Sequence, residues 1–183
     1  MISALAAGAG FFQYRSKQGS RKDIFQAASV LVRISRDAGA LFIVNDHADI
    51  AVAVDADGVH LGQDDLPIAY ARKLLGSTKL IGISTHSPEQ AQEAETSGAD
   101  YIGFGPIFTT ATKDAGPTQG LERIAAVKRA TSLPLIAIGG ITRDNVRSVL
   151  SAGADGVAII SAILNTPDIA ASTEYMMRSM RFT

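Results

Sequence analysis

The chain has 183 residues, of which 46% are hydrophobic and 19% are charged, so it can bury a core and is not intrinsically disordered. Its 17 basic and 18 acidic residues give a net charge of −1, which excludes nucleic-acid binding by a broad basic field. The sequence contains no cysteine, which excludes disulfides, thiolate metal sites and a cysteine nucleophile. The length predicts a single domain over residues 1–183.

The sequence also bears on location. Its apolar runs are far shorter than the ~20 residues that a membrane-spanning helix needs. The first residues, Met1-Ile2-Ser3-Ala4-Leu5, lack the basic charge that opens a signal peptide. We therefore expect a cytoplasmic protein whose partners are small molecules, with neither a membrane nor a nucleic acid among them.

Short apolar runs recur along the chain, and most follow a turn of small residues that contains glycine. Glycine just after a helix adopts the left-handed backbone at little steric cost. The runs lack polar alternation, which is typical of parallel strands buried on both faces. The seven predicted strands are 11–15, 41–45, 59–61, 79–84, 101–104, 134–139 and 156–160. The seven predicted helices are 1–7, 20–36, 67–75, one beginning at Ser87, 120–130, 142–151 and 167–180.

This alternation of strands and helices predicts an α/β chain of βαβ units. Two architectures fit it. One is a (β/α)8 barrel of the TIM type that lacks its first strand and part of its first helix, and the other is an open, doubly wound sheet. Polar residues follow the carboxyl ends of all seven predicted strands, which favours the closed or nearly closed ring.

The first predicted strand ends in Gln13, Arg15 and Lys17. Alternate residues of an extended segment point to the same side. Two cations and an amide on one side could bind an anion, and arginine offers a planar fork of donors. A solvated strand end would explain the same pattern.

Two carboxylates, Asp46 and Asp65, follow adjacent predicted strands. Converging carboxylates suit Mg²⁺, which binds through one or two of them together with substrate phosphate. General acid–base catalysis is one alternative. Helix capping is another, because Asp64-Asp65-Leu66-Pro67 resembles a helix start.

The connection 105–117 is longer than most that join a strand to a helix, and such loops often carry function. Its Thr110, Thr112 and Lys113 could bind phosphate oxygens, although an exposed threonine-rich turn has the same composition. Two later segments resemble phosphate sites in which glycine or a helix start presents backbone N–H groups to an anion. These are Gly139-Gly140 and Ile160-Ser161, after the last two predicted strands.

The histidines have different expected roles. His60 lies inside a predicted strand and is expected to be a core histidine satisfied by hydrogen bonds. His86 follows a strand end and is a candidate acid or base. No Gly-x-Ser-x-Gly segment occurs, which argues against acyl-transfer hydrolysis.

Taken together, these motifs resemble the thiamine-phosphate synthase family. The resemblance runs from about residue 4 to about residue 163. The segments that carry it are 13–17, 45–46, 57–67, 82–86, 110–113, 138–141 and 160–162.

The resemblance implies a (β/α)8 barrel and a transferase of thiamine biosynthesis. Such an enzyme joins 4-amino-2-methyl-5-hydroxymethylpyrimidine diphosphate to a thiazole phosphate, carboxylated or not, releases pyrophosphate and requires Mg²⁺. The implied pyrimidine diphosphate contacts are Gln13, Arg15, Lys17, Asn45, Ser84 and Lys113. The implied catalytic residues are Arg15, Lys17, Ser84 and Lys113. The implied Mg²⁺ ligands are Asp46 and Asp65. The implied thiazole phosphate contacts are Thr110, Thr112, Gly140, Ile160 and Ser161.

Three other functions fit parts of the pattern. A thiazole tautomerase-like protein would share the fold and the thiazole phosphate site but not the diphosphate machinery. A truncated, non-catalytic phosphate-binding barrel would bind ligand without turnover. Another phosphate-sugar barrel enzyme would leave the clamp of Gln13, Arg15 and Lys17 unexplained. A barrel without one strand exposes two strand edges, so a homo-oligomer is a further expectation.

Overall fold

The computed structural model describes residues 1–110 and 116–181, without the side chain of Arg181. The strands are β1 (Phe11–Tyr14), β2 (Leu41–Asn45), β3 (Gly58–Leu61), β4 (Leu80–Thr85), β5 (Tyr101–Phe104), β6 (Leu135–Ile138) and β7 (Gly156–Ala158). Each predicted strand is therefore present, although β7 ends two residues earlier than predicted. All of them pair in parallel, each with the next in the chain, in one sheet of order β1 to β7.

The helices alternate with these strands. They are α1 (Ile2–Ala6), α2 (Arg21–Asp37), α3 (Ala48–Ala53), α4 (Ile68–Leu75), α5 (Pro88–Thr96), α6 (Glu122–Ala130), α7 (Val146–Ser151), α8 (Ser161–Leu164) and α9 (Ile169–Arg181). The predicted number of seven is too low, because the short helices α3 and α8 were missed. In the part of the chain that the structure describes, no helix has the length and apolarity needed to cross a membrane.

The sheet is strongly curled. Phe11 on β1 and Tyr101 on β5 make an edge-to-face ring contact with centroids 5.7 Å apart, although four strand spacings of about 4.8 Å separate their strands along a flat sheet. On the outside, α1 packs against α9, while β1 and β7 form no pair within the described ranges. The fold is a TIM-type barrel with seven strands in the part of the chain that the structure describes, and the prediction of a barrel rather than a doubly wound sheet is confirmed.

Burial follows position in the sheet. β3 is buried along its whole length, whereas β1 alternates between exposed and half-buried residues and β7 is half-buried throughout. The prediction that all strands are buried on both faces is therefore wrong for β1 and β7. Among the described residues no further strand covers their outer edges, so their side chains stay accessible.

Side-chain capping sets the starts of two helices, and both starts lie within one residue of the predicted positions. Ser20 caps α2 in a capping box with Asp23, and Ser87 caps α5 with Pro88 in its first turn. The start of α4 differs from prediction, since Pro67 is the residue before the helix and no side chain caps it. Asp65 instead accepts a hydrogen bond from the backbone N–H of Gly62 (2.6 Å), so the capping alternative is wrong.

A repeated aspartate ties successive strands together at the amino-terminal end of the barrel. Each of these aspartates directly precedes a strand and accepts a hydrogen bond from a backbone N–H near the start of the preceding strand. The donor–acceptor pairs are Phe42 with Asp57 (2.8 Å), Ile81 with Asp100 (2.7 Å) and Leu135 with Asp155 (2.7 Å). Each of the three aspartates follows an alanine, and glycine precedes that alanine in two of the three turns. The pattern stabilises the end of the barrel opposite the strand carboxyl ends.

Two of these aspartates also hold a cation. Arg72 Nη2 lies 2.6 Å from Asp100 Oδ2, and Lys128 Nζ lies 2.8 Å from Asp155 Oδ2. Burial raises the pKa of Asp155, but the Leu135 N–H and the Lys128 ammonium outweigh it and leave that pKa below its ordinary value. Folding therefore favours the ionised carboxylate of Asp155. This raises the free energy of unfolding at pH values above the ordinary pKa of a carboxyl group, and the gain is lost as pH falls through the lowered pKa.

We expect Asp100→Ala to lower the free energy of unfolding by about 1–3 kcal/mol, because it leaves the Ile81 N–H without its acceptor and Arg72 without its carboxylate. Urea denaturation measures the change. Asp37→Ala, at the exposed end of α2, is the matched control and should stay within about 0.5 kcal/mol of wild type. Equal stability of both variants would contradict the structural role of Asp100.

Candidate active site at the carboxyl ends of the strands

Polar side chains from the first four strands meet at one rim. Because the strands are parallel and pair in sequence order, their carboxyl ends lie on the same face. Arg15 Nε, just after β1, lies 3.9 Å from Asp46 Oδ2, just after β2. The Gln63 amide, after β3, donates to the backbone oxygen of Ser84 on β4 (2.6 Å). The structure thus brings Arg15 and Asp46, two predicted site residues 31 positions apart in the chain, together at this rim.

Asp46 is held in an unusual conformation. Its φ of 66° lies in the left-handed region, which costs a non-glycine residue about 1 kcal/mol and is found at functional sites. The Asp46 N–H donates to the backbone oxygen of His60 (2.9 Å), and the Asn45 amide donates to Asp46 Oδ1. These bonds fix the carboxylate at the rim, and they place the predicted contact Asn45 directly beside it.

The Asp46 carboxylate lies against that of Asp65. Burial, and then the negative charge of Asp65, raise the pKa of Asp46, while Arg15 and His47 offset only part of this. Two carboxylates in contact with too little positive charge around them are an arrangement that a cation would stabilise.

The donor set fits Mg²⁺ better than a metal that needs several protein ligands. In residues 1–110 and 116–181 no group of three or more His, Cys, Asp or Glu side chains comes together. Mg²⁺ is usually held by one or two carboxylates and completes its octahedron with waters and substrate phosphates. Asp46 and Asp65 provide such a pair of oxygen ligands.

The basic cluster differs in part from its prediction. β1 ends at Tyr14, so strand alternation accounts for Gln13 but not for Arg15 and Lys17, which lie in the irregular segment that follows. Arg15 nevertheless reaches the rim beside Asp46, whereas Lys17 is exposed. Gln13 is also exposed, and its side chain lies near the hydroxyl of Tyr101, whose pKa it acts to lower.

The loop after β5 packs against the end of β6 through two glycines. Gly140 has a φ of 64°, and a Cβ there would lie 2.6 Å from the backbone oxygen of Thr109 and 2.7 Å from Phe108 Cβ. The Phe108 N–H donates to the backbone oxygen of Gly139 (3.1 Å). Only glycine permits this approach, which brings the segment containing Thr110 to the predicted phosphate site at Gly140.

The predicted helix start at this glycine pair is wrong. α7 begins at Val146, because a turn over 140–145 comes first: the Asn145 amide donates to the backbone oxygen of Gly140 (3.0 Å), and the Thr142 N–H donates to Asn145 Oδ1 (2.8 Å). The last strand meets expectation more closely. Ile160 is the residue before α8 and Ser161 is its first residue, and both are exposed.

Two predicted contacts, Thr112 and Lys113, belong to residues 111–115 and lie outside the described residues. The remaining histidine predictions can be compared with the structure. His60 is buried and hydrogen-bonded through both ring nitrogens, which confirms it as a satisfied core histidine. The His86 Nδ1–H donates to the backbone oxygen of Gly105 (2.6 Å), and its acid–base role stays a prediction.

Sequence reasoning missed Tyr101. It had treated this residue only as part of a buried strand, whereas its hydroxyl contacts both His60 (3.0 Å) and Gln13 inside the barrel. The available signal was Gly82 on the neighbouring strand, because a glycine inside a strand often marks a close approach of other groups. A Cβ at Gly82 would collide with the Tyr101 ring.

Comparison with known proteins agrees with this geometry. The sequence model of a family described as thiamine monophosphate synthase matches residues 1–163. The chain belongs to this family. The thiamine-phosphate synthase of Moorella thermoacetica is 48% identical over 170 residues, which cover 92% of this chain and 81% of that protein. That of Methanosarcina barkeri is 48% identical over 181 residues, covering 98% and 82%.

Solved structures give the same result. A thiamine phosphate pyrophosphorylase from Pyrococcus furiosus superposes with a TM-score of 0.90 at 39% identity, covering 98% of this chain and 87% of that one. A 3-hexulose-6-phosphate synthase reaches a TM-score of 0.72 at 19% identity, a likeness of fold alone. The predicted resemblance to the thiamine-phosphate synthase family is confirmed.

The carboxylate pair yields a stability prediction. Folding raises the pKa of Asp46, so the ionised carboxylate lowers the free energy of unfolding at neutral pH. This loss disappears as pH falls through the raised pKa to values below the ordinary pKa of an aspartate. Asp65→Asn keeps an acceptor for the Gly62 N–H but removes the repulsion. We expect it to raise the free energy of unfolding of the metal-free protein by about 0.5–1 kcal/mol at pH ~7.

Urea denaturation in the presence of a chelator measures this change, and the gain should shrink as pH falls through the raised pKa of Asp46. Asp64→Asn, at the exposed neighbouring position, is the control. A loss of stability in Asp65→Asn that exceeds the loss in the control would show that the two carboxylates do not repel each other.

Proposed function

We propose that this chain is a thiamine-phosphate synthase that transfers a substituted pyrimidinylmethyl group from its diphosphate to a thiazole phosphate, forming thiamine phosphate and pyrophosphate. The observation that carries the proposal is the pair of contacting carboxylates, Asp46 and Asp65, with Arg15 beside them on the rim of a barrel of this family. An anion clamp next to a cation site is what a diphosphate substrate requires.

In the proposed reaction, the C–O bond between the pyrimidine methylene and its diphosphate breaks, and the electron pair leaves with pyrophosphate. The electron-rich aminopyrimidine carries the positive charge that develops on the methylene. The thiazole nitrogen then donates its lone pair to this carbon, and the new C–N bond makes the thiazolium of the product. No protein nucleophile is needed, which agrees with a sequence without cysteine and without a serine elbow.

The residues of this chain then bind and orient. We assign Arg15, Lys17 and Lys113 to the oxygens of the departing diphosphate, whose developing charge they stabilise. Gln13, Asn45 and Ser84 complete the pyrimidine diphosphate site. Asp46 and Asp65 would hold Mg²⁺, which when bound neutralises charge on the leaving group.

The second substrate belongs on the other half of the rim. We assign its phosphate to Thr110, Thr112 and Gly140 and to Ile160 and Ser161 at the start of α8. The close packing of the loop after β5 on Gly140 supports this, because it brings the segment that contains Thr110 to Gly140. Backbone N–H groups and threonine hydroxyls are suited to phosphate oxygens.

The alternatives explain less of the site. A thiazole tautomerase-like protein would use the late-strand phosphate site but has no need of a carboxylate pair beside Arg15. A non-catalytic phosphate-binding barrel has no need of an Asp46 held in the left-handed region with a raised pKa. The comparisons favour the synthase, since the relatives named above are thiamine-phosphate synthases at 48% identity.

Location and assembly follow as proposals. Both substrates are multiply charged phosphorylated small molecules that do not cross a bilayer unaided, so we place the enzyme in the cytoplasm, where cell fractionation should find it. In residues 1–110 and 116–181 no strand pairs with the outer edges of β1 and β7, and such free edges support a homo-oligomer. Light scattering across a range of concentrations would refute this by giving a monomer throughout.

The decisive experiment incubates the protein with both substrates and Mg²⁺ and measures thiamine phosphate by fluorescence after oxidation. We expect product with wild type, none without the pyrimidine diphosphate, and loss of turnover with a chelator. Asp46→Asn should lower kcat by about 100-fold or more, because it removes a charged ligand of the cation. Asp64→Asn, the exposed neighbour of the pair, should stay within about two-fold of wild type.

Binding of the ion can be measured apart from turnover. Mg²⁺ should raise the Tm of wild type by mass action and leave that of Asp46→Asn unchanged. Wild-type protein that makes no thiamine phosphate under these conditions would reject the proposed function. A Tm response that persists unchanged in Asp46→Asn would reject the assigned metal site.

A further inference from the structure

Inside the barrel, beneath the rim, three polar side chains form one chain of hydrogen bonds, and the side chain of Gln13 lies beside its Tyr101 end. His60 Nδ1 lies 3.0 Å from the Tyr101 hydroxyl, and His60 Nε2 lies 3.0 Å from Ser84 Oγ. The Gln13 side chain lies near the Tyr101 hydroxyl and acts to lower its pKa, which is the effect of a hydrogen-bond donor. The two central residues, His60 and Tyr101, are each only 7% exposed. These contacts thus connect two proposed pyrimidine diphosphate contacts, Gln13 and Ser84, through two buried residues with no other assigned role.

The strand register makes this chain possible. His60 on β3 pairs with Gly82 on β4, and Gly82 pairs with Tyr101 on β5, so the three residues form one row across the sheet. Because Gly82 has no side chain, the Tyr101 ring occupies the space where its Cβ would lie. Gly103 has a similar part, since a Cβ there would lie 3.0 Å from His60 Cε1. Two glycines in strand interiors, each costing stability, leave room for the histidine–tyrosine contact.

The chemistry of the groups limits how the protons are arranged. Burial raises the pKa of Tyr101 strongly, so its hydroxyl keeps its proton and needs an acceptor. In a neutral imidazole, one ring nitrogen donates and the other accepts. If the Gln13 N–H donates to Tyr101, the Tyr101 hydroxyl donates to His60 Nδ1 and His60 Nε2–H donates to Ser84. The Ser84 hydroxyl then has its proton free to point away from the histidine. In the opposite arrangement, the Ser84 hydroxyl would donate its proton to His60 Nε2 and could not donate it to the substrate.

We propose that His60 and Tyr101 are positioning residues that hold Ser84 as a hydrogen-bond donor, and Gln13 with its carbonyl oxygen as an acceptor, toward the pyrimidine diphosphate. The inference rests on the proposed function, because an anionic, acceptor-rich substrate is what a serine donor suits. It extends that function by fixing the direction of every bond in the chain. The orientations of Gln13 and Ser84, at the two ends of the hydrogen-bond chain, then depend on each other.

The first test needs no substrate. Nitrogen-15 NMR of the wild-type protein reports which ring nitrogen of a histidine carries the proton, and the chain contains only three histidines. His60→Gln assigns the resonance by its loss. We expect the proton of His60 on Nε2 and none on Nδ1. A proton on Nδ1, or on both nitrogens, would overturn the proposed direction.

The second test separates the two bonds of His60. Asparagine places its amide near the Nδ1 position and glutamine places its amide near the Nε2 position, so only His60→Gln can still donate to Ser84. We expect His60→Asn to lower kcat/KM for the pyrimidine diphosphate by about 10- to 100-fold with little change in KM for the thiazole phosphate. His60→Gln should recover most of that loss. Equal losses in the two variants would overturn the proposal.

A double-mutant cycle supplies the control for a merely structural effect. If His60 acts through Ser84, His60→Asn combined with Ser84→Ala should be no slower than Ser84→Ala alone. Losses that multiply would overturn the proposal. Tyr101→Phe, which keeps the ring, should also lower kcat/KM for the pyrimidine diphosphate, whereas Tyr70→Phe on the exposed face of α4 should not.

The failure of this inference differs from failure of the proposed function. A wild-type protein that makes no thiamine phosphate rejects the function, while the NMR experiment still decides the direction of the bonds. A wild-type protein that makes product and shows the proton on Nδ1 keeps the function and rejects the positioning role. Unfolding of the His60 variants would leave the wild-type tautomer as the deciding measurement.

Discussion

The backbone hydrogen bonds that pair each strand with the next one in the chain are the interaction on which the site depends. Seven strands joined in sequence order, all parallel, put their carboxyl ends on one rim. That order brings Arg15 to Asp46 and the segment after β3 to Ser84. A slip of one residue in any pairing would turn the side chains of that strand to the other face. The register of β3, β4 and β5, which aligns His60, Gly82 and Tyr101, is therefore as much a part of the site as the side chains themselves.

The two ends of the barrel use aspartate in opposite ways. At the amino-terminal end, the Leu135 N–H and Lys128 outweigh burial and hold the pKa of Asp155 below its ordinary value, so the charge stabilises the fold. At the rim, burial and a neighbouring carboxylate raise the pKa of Asp46, so the charge opposes folding. Strain at Asp46 adds to that cost. Stability built at one end thus offsets the electrostatic cost of a site at the other, a common arrangement in enzymes.

Much of the fold could be predicted because its signals are local. The capping box at Ser20 and Asp23 marks α2, and the apolar runs mark all seven strands. Other features depend on distant residues. The exposure of β1 and the half-burial of β7 depend on the groups that pack against each strand, which the apolar runs do not encode. α3 and α8 have six and four residues, too few to show a helical period. The conformation of Gly140 is set by the backbone of Thr109, which lies 31 residues earlier.

His60 combines core packing with a place in the proposed site. Its burial and its two hydrogen bonds are those of a satisfied core residue, yet one bond ends on a rim residue that is assigned to the substrate. If the barrel needed only to be filled, apolar side chains in place of His60 and Tyr101 would avoid the desolvation of two polar groups. They would also not require Gly82 in the middle of a strand. The cost in stability of this buried network is explained if the network orients the groups at its ends, Gln13 and Ser84.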